Sequence, residues 1–144
     1  MSAGIRIVVI DGMGGGIGAA LVEKIRDRLA GEAQKAELIA LGANSGATEH
    51  MLKAGAQRGA SGENAVIVSA GLADYILGPI GIILPNSMMG EISPAMAQAV
   101  LEAGAERILL PLENHFFIAG METRPLAKLI DDAVARLFEQ LKKR

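Results

Sequence analysis

The sequence predicts a three-layer α/β fold on a mostly parallel sheet of four to five strands. Two observations carry that expectation. Short β-branched runs alternate with longer segments whose apolar residues recur at helical spacing, the pattern of parallel strands joined by crossover helices. Glycine-dense turns separate them, and the first, at 12–18, lies between a strand and a helix. Length and composition agree. A chain of 144 residues is read as one domain, 1–144, with room for a sizeable core. Apolar residues make up 51% and charged residues 21%, so disorder is not expected.

The elements are taken in order. Ile5–Ile10 is a continuous β-branched run, as in a strand covered on both faces. A helix then runs from Gly16 to Leu29, with Ile17, Leu21, Ile25 and Leu29 on one face. Glu37–Leu41 is the second strand, ended by Gly42. Asn44 and Ser45 are cap-type residues before a short helix, Gly46 to Lys53, closed near Gly55. Gly59 to Gly62 reads as a turn, with Ser61 as the N-cap of the next segment. Asn64–Ser69 has both strand and helix features. Val66-Ile67-Val68 favours strand, but the polar start and the strand-like Ala73–Gly78 after it favour helix.

Gly78-Pro79-Ile80-Gly81 ends the third strand, and a long apolar connection leads to Asn86, Ser87, Gly90 and Glu91. Ser93-Pro94 starts a helix that covers Ala95 to Ala103. Arg107–Leu112 is a fourth strand, and His115–Ala119 is read as a short fifth strand at an edge. Pro125 opens the last helix, whose stripe is Leu126, Leu129, Ile130, Ala133, Val134, Leu137 and Leu141.

Several function classes drop out. The formal net charge is −2 with interspersed signs, so there is no basic footprint for nucleic acid and no basic amphipathic stretch for a membrane surface. Cysteine is absent, which removes disulfides and thiolate metal sites. No export signal or bilayer-length apolar run is read, so a cytoplasmic location is expected. Low charge with a high apolar share predicts a homo-oligomer.

The glycine turn carries the functional expectation. Gly14-x-Gly16-x-x-Ala19 fits the Rossmann fingerprint, and Gly12-x-x-x-Gly16-x-Gly18 resembles the loop of short-chain dehydrogenases. Both patterns bring a phosphate against bare backbone, with the amides of Gly15, Gly16 and Ile17 at a helix start pointing at the anion. A nucleotide, NAD(P) or another, or a phosphorylated small molecule is the expected ligand. The alternative is that these glycines only let strand and helix pack closely, in a non-catalytic oligomeric scaffold or regulatory module.

Two departures stand against a dinucleotide enzyme. No acid follows the second strand, where one would hold a ribose; Gly42-Ala43-Asn44 is there, and Asn44 is the neutral substitute. Tyr75 is followed four residues later by Pro79 rather than Lys, which removes the short-chain dehydrogenase mechanism. The turn has no Lys for a P-loop, and no Gly-x-Ser-x-Gly elbow occurs.

Asp11 ends the first strand, where open α/β sheets place ligands. It has two readings: a contact to a ribose, an amine or a bridging metal, or an Asx-type turn bond to nearby amides. Gly78, Asn86 and Ser87 fall on the same rim and complete the candidate pocket, with Glu91 as the candidate general base. His50 and His115 have no partners at metal spacing and are read as surface or packing residues.

The motifs together carry a resemblance. Ile-Asp-Gly-x-Gly-Gly-Gly-Ile-Gly at 10–18, Gly-Ala-Ser-Gly-Glu-Asn-Ala at 59–65, Gly-Pro-Ile-Gly-Ile-Ile at 78–83 and Asn-Ser-Met-Met-Gly-Glu-Ile-Ser-Pro at 86–94 are the most specific of them. Over nearly its whole length the chain resembles a small bacterial family catalogued as domain of unknown function 3842. The resemblance implies a stand-alone cytoplasmic Rossmann-like protein and brings no substrate or catalytic residue.

Overall fold

The computed structural model describes residues 4–112 and 117–144. The chain runs β1 (Ile5–Asp11), α1 (Gly16–Leu29), β2 (Ala36–Gly42), α2 (Ser45–Ala54), β3 (Arg58–Ser61), α3 (Glu63–Leu72) and β4 (Tyr75–Pro79). A 3-10 turn (Ile80–Ile83), α4 (Pro94–Glu102), β5 (Glu106–Leu110) and α5 (Leu126–Leu141) complete it. All pairings are parallel, in the order β3-β2-β1-β4-β5, so the sheet and its class are as expected.

Side chains of β1 alternate between two cores, as the two-residue period of a strand requires. Ile7 and Val9 face α1, α2 and α5, with Leu21, Ile25, Met51 and Phe138 fully buried on that side. Val8 and Ile10 face α3 and α4, where Val66, Met96 and Val100 pack. The β-branched run of β1 is therefore buried on both faces, which is why it lacks alternating polarity.

Three expectations need correction. Residues 59–62 are not a turn: Arg58–Ser61 is an edge strand, paired with β2 through Ile39↔Arg58 to Gly42↔Ser61. It has no β-branched residue, so its strand state comes from tertiary pairing rather than local propensity. Gly59 is needed there because a Cβ would lie 2.9 Å from Thr48 Cγ2 on α2. Ser61 does not cap α3; Gly62 does, and the Ser61 hydroxyl pairs with Thr48 Oγ1 at 2.7 Å. Finally, Phe117–Ala119 is not strand, and residues 115–116 of that expected fifth strand lie outside the described residues.

The ambiguous segment is helix, Glu63–Leu72. With β3 at one edge and β4 beside β1, the chain has to cross the sheet there, and a helix does so with its backbone groups satisfied. The expected caps of α2 and α4 are present. Asn44 Oδ1 accepts from the Ala47 amide at 2.8 Å, and Ser93 Oγ accepts from Met96 at 3.1 Å.

Candidate functional site

The sheet opens at one place. Pairing of β1 with β4 stops at Val9↔Leu77, whereas β1–β2 continues to Asp11↔Gly42 and β4–β5 to Pro79↔Leu110. The strand order reverses between β1 and β4, so this parting is the crevice where open α/β sheets hold ligands. Gly78 lies in its wall. A Cβ at Gly78 would collide with the Ile10 carbonyl oxygen, so its glycine serves strand approach.

The loop between β1 and α1 is folded by its own backbone and by Asp11. Met13 and Gly15 take left-handed φ of 51° and 74°, and the Gly15 amide closes the turn on the Gly12 carbonyl at 2.9 Å. Asp11 is 4% exposed. Its Oδ1 accepts from the Gly12 amide at 2.8 Å, the Asx-type bond, and its Oδ2 accepts from the Gly18 amide at 2.7 Å. That second bond caps α1 from seven residues upstream, in place of a side chain on the N-cap Gly15.

Burial raises the Asp11 carboxyl above the usual aspartate value. Its bonds from Gly18 and Gly12 oppose the shift, the Glu91 charge adds to it, and His50 opposes it. The folded protein therefore holds this proton more readily than the unfolded chain does. Stability from this group is fully present below the ordinary value and falls as pH rises from about 4 through the raised value. Asp11→Asn turns an NH₂ toward one of two amide donors and is expected to cost about 1–3 kcal/mol. In urea unfolding at several pH values, the advantage of wild type over Asp11→Asn should shrink as pH rises through that window. A gap that widens would contradict the assignment.

The glycines of the loop divide into two groups. A Cβ at Gly15 would lie 2.8 Å from Ala47 Cα, and one at Gly18 would lie 2.6 Å from Met51 Sδ and 2.9 Å from Asp11 Cβ. At Gly12 it would meet Glu91 Oε1 and Met88 Sδ, both at 2.7 Å. These three are packing glycines. Gly14 and Gly16 are not: a Cβ at either meets nothing within 4 Å, and neither has a left-handed φ. Both are exposed. The amides of Gly14, Gly16 and Ile17 have no acceptor among the described residues.

Two further elements reach the loop. The side-chain Nδ2 of Asn44 donates to the Met13 carbonyl at 2.9 Å and to both Glu91 oxygens, at 3.1 and 2.9 Å. Glu91 Oε1 accepts from the Met13 amide at 2.6 Å. Asn44 is thus both the cap of α2 and a tie across the crevice, and its amide is engaged on both sides. Glu91, the expected base, spends its carboxylate on the same tie.

Among the described residues, no hydrogen bond joins Asn86 or Ser87 to Gly14 or Gly16. Asn86 and Ser87 build the turn that presents Glu91. The Asn86 amide donates to the Ile92 carbonyl at 2.7 Å, and Ser87 Oγ donates to the Gly81 carbonyl at 2.5 Å. In that turn Asn86, Met88 and Met89 have φ of 67°, 56° and 58°. Left-handed backbone costs a non-glycine residue about 1 kcal/mol or more.

The sequence reading missed Thr48 and His50 as parts of this site. Thr48 is buried, and its hydroxyl oxygen accepts from the Gly42 amide at 3.0 Å, fixing the end of β2. His50 Nδ1 lies 2.9 Å from the Gly14 carbonyl oxygen. A Thr at the fourth helical position after a capping Asn was the available signal for the first; nothing local marked the second. His115 lies outside the described residues. Among the described residues, no group of three His, Cys, Asp or Glu could hold a metal ion. An open cleft of about 560 Å³ runs from Ile17, at the start of α1, past Pro111 to Met121, Arg124 and Leu129.

A parallel sheet in this order, with a glycine turn and helix start at its reversal, defines a Rossmann-like α/β protein. The family model described as Domain of unknown function (DUF3842) matches residues 6–142. The chain belongs to that family. A search of the curated proteins finds no match. Among the described residues, no helix is long and apolar enough to cross a membrane.

Proposed function

We propose that this protein binds a phosphorylated small molecule of the nucleotide class, with a phosphate on the amides of Gly14, Gly16 and Ile17. The observation that carries the reading is that Gly14 and Gly16 have neither a steric nor a conformational reason to be glycine. A glycine at an exposed position that any residue could occupy costs extra chain entropy on folding. Close approach of a ligand to bare backbone gives it a use. Support comes from the place, since the helix dipole and first-turn amides favour an anion there. The adjoining cleft adds apolar wall at Ile17, Met121 and Leu129 for the body of the ligand, and Arg124 for a second charge.

The reading is tested by thermal unfolding with NAD, NADP, ATP, AMP and CoA. A ligand at a hundred times its Kd adds about 2.7 kcal/mol to stability. At least one of the five is expected to do so. No shift from any, with no small molecule retained through purification, would contradict it.

A second reading has its own observation. On α3, Val68 and Leu72 are 53% and 57% exposed, an apolar surface on a helix with little amphipathic bias. That surface favours a homo-oligomer, which light scattering would detect. An oligomer that ignores all five ligands would favour the scaffold alternative.

A further inference from the structure

The Glu91 contact has the form of a latch. Three elements supply its seat: the bare Cα of Gly12, the Met13 amide at 2.6 Å, and the Asn44 side-chain amide at 2.9 and 3.1 Å. The seat fits a carboxylate, because every polar group in it donates. Glu91 is brought there by a turn with its own internal bonds. The Gly90 amide donates to the Asn86 carbonyl at 3.2 Å, the Glu91 amide to Met88 at 3.0 Å, and the Ile92 amide to Ser87 at 3.2 Å. Three non-glycine residues of that turn are held left-handed, and Met89 at its tip is 90% exposed. Among the described residues, the hydrogen bonds from the turn to the β1 loop and Asn44 all run through this carboxylate.

We infer that Glu91 is an internal anion held beside the seat of the ligand's anion, so that residues 85–92 hold the crevice in a self-inhibited state. This inference rests on the binding reading above. The carboxylate sits on the amide of Met13, next to the open amide of Gly14, and its charge repels a phosphate arriving there. Binding is then an exchange: the phosphate enters, Glu91 leaves the Met13 amide, and the turn swings away. The observed affinity is lowered by the fraction of molecules in which the latch is already open. The ligand favoured by such an exchange carries more than one negative charge, since it has to displace a carboxylate from the donors beside its own.

The test compares wild type, Glu91→Gln and Glu91→Ala by AMP titration, with inorganic phosphate as a second probe. Amide exchange at Met13 is followed by NMR. Glu91→Gln keeps the shape but sets an NH₂ against the Asn44 NH₂. Circular dichroism shows whether each variant is folded, and Glu91→Gln alone suffices if Glu91→Ala is not. The expected result is Met13 exchange at least tenfold faster in Glu91→Gln, with AMP bound about tenfold more tightly than by wild type. Equal AMP affinity in wild type and both variants overturns the latch and leaves the binding reading standing. Failure of wild type and every variant to bind AMP, inorganic phosphate or any of NAD, NADP, ATP and CoA overturns the binding reading, and the exchange mechanism with it.

Discussion

Gly42→Ala is expected to destabilise the protein by about 3 kcal/mol or more, while Gly14→Ala and Gly16→Ala leave stability unchanged or raise it by up to about 1 kcal/mol. The contrast comes from what each absent side chain would meet. A Cβ on Gly42 lies 2.5 Å from the Asn44 carbonyl oxygen and 2.6 Å from the Thr48 amide nitrogen, and it also collides with Thr48 Oγ1. Two of those atoms are backbone and cannot turn aside. Moving them unseats the cap of α2 and the Thr48 bond to the Gly42 amide together. Gly14 and Gly16 face open space, so a methyl group there only removes backbone freedom from the unfolded chain. Urea unfolding of the three variants measures this. Gly16→Ala as damaging as Gly42→Ala would return all the loop glycines to a packing role.

The second large effect is on binding. Gly16→Val is expected to remove the ligand-dependent stabilisation of about 2.7 kcal/mol while the unliganded protein melts close to wild type. A branched side chain at the first position of α1 stands over the open amides of Gly16 and Ile17 and keeps a phosphate away. Its Cβ has nothing from the neighbouring elements within 4 Å, so the fold is expected to accommodate it. An undiminished shift in Gly16→Val would place the ligand elsewhere. An unfolded Gly16→Val would mean that the helix start tolerates no side chain.

Most of the sheet was legible because its strands are buried on both faces and therefore apolar without interruption, as in Ile5–Ile10. The helices of its outer layers were legible where capping residues stood at their starts, as at Asn44 and Ser93. β3 was not. Its four residues carry no strand propensity and are ordered by pairing with β2, a contact more than a dozen residues away in sequence. The glycine turn and its helix were visible as a motif, but the division of its glycines was not. Which of them pack depends on Ala47, Met51 and Glu91, which reach the turn from other elements. Asp11 could be read two ways because its second acceptor bond, to Gly18, exists only once α1 has folded back over the end of β1. Glu91 stood out as an acid near the rim. Its seat on Met13 and Asn44 joins positions 78 and 47 residues away, beyond the reach of any local pattern.

The most direct measurement is an amide NMR titration of the wild-type protein with AMP. The amide signals of Gly14, Gly16 and Ile17 should move together and saturate with one dissociation constant, while that of Gly18, already held by Asp11, moves far less. Saturable binding that leaves the three signals in place would contradict the account.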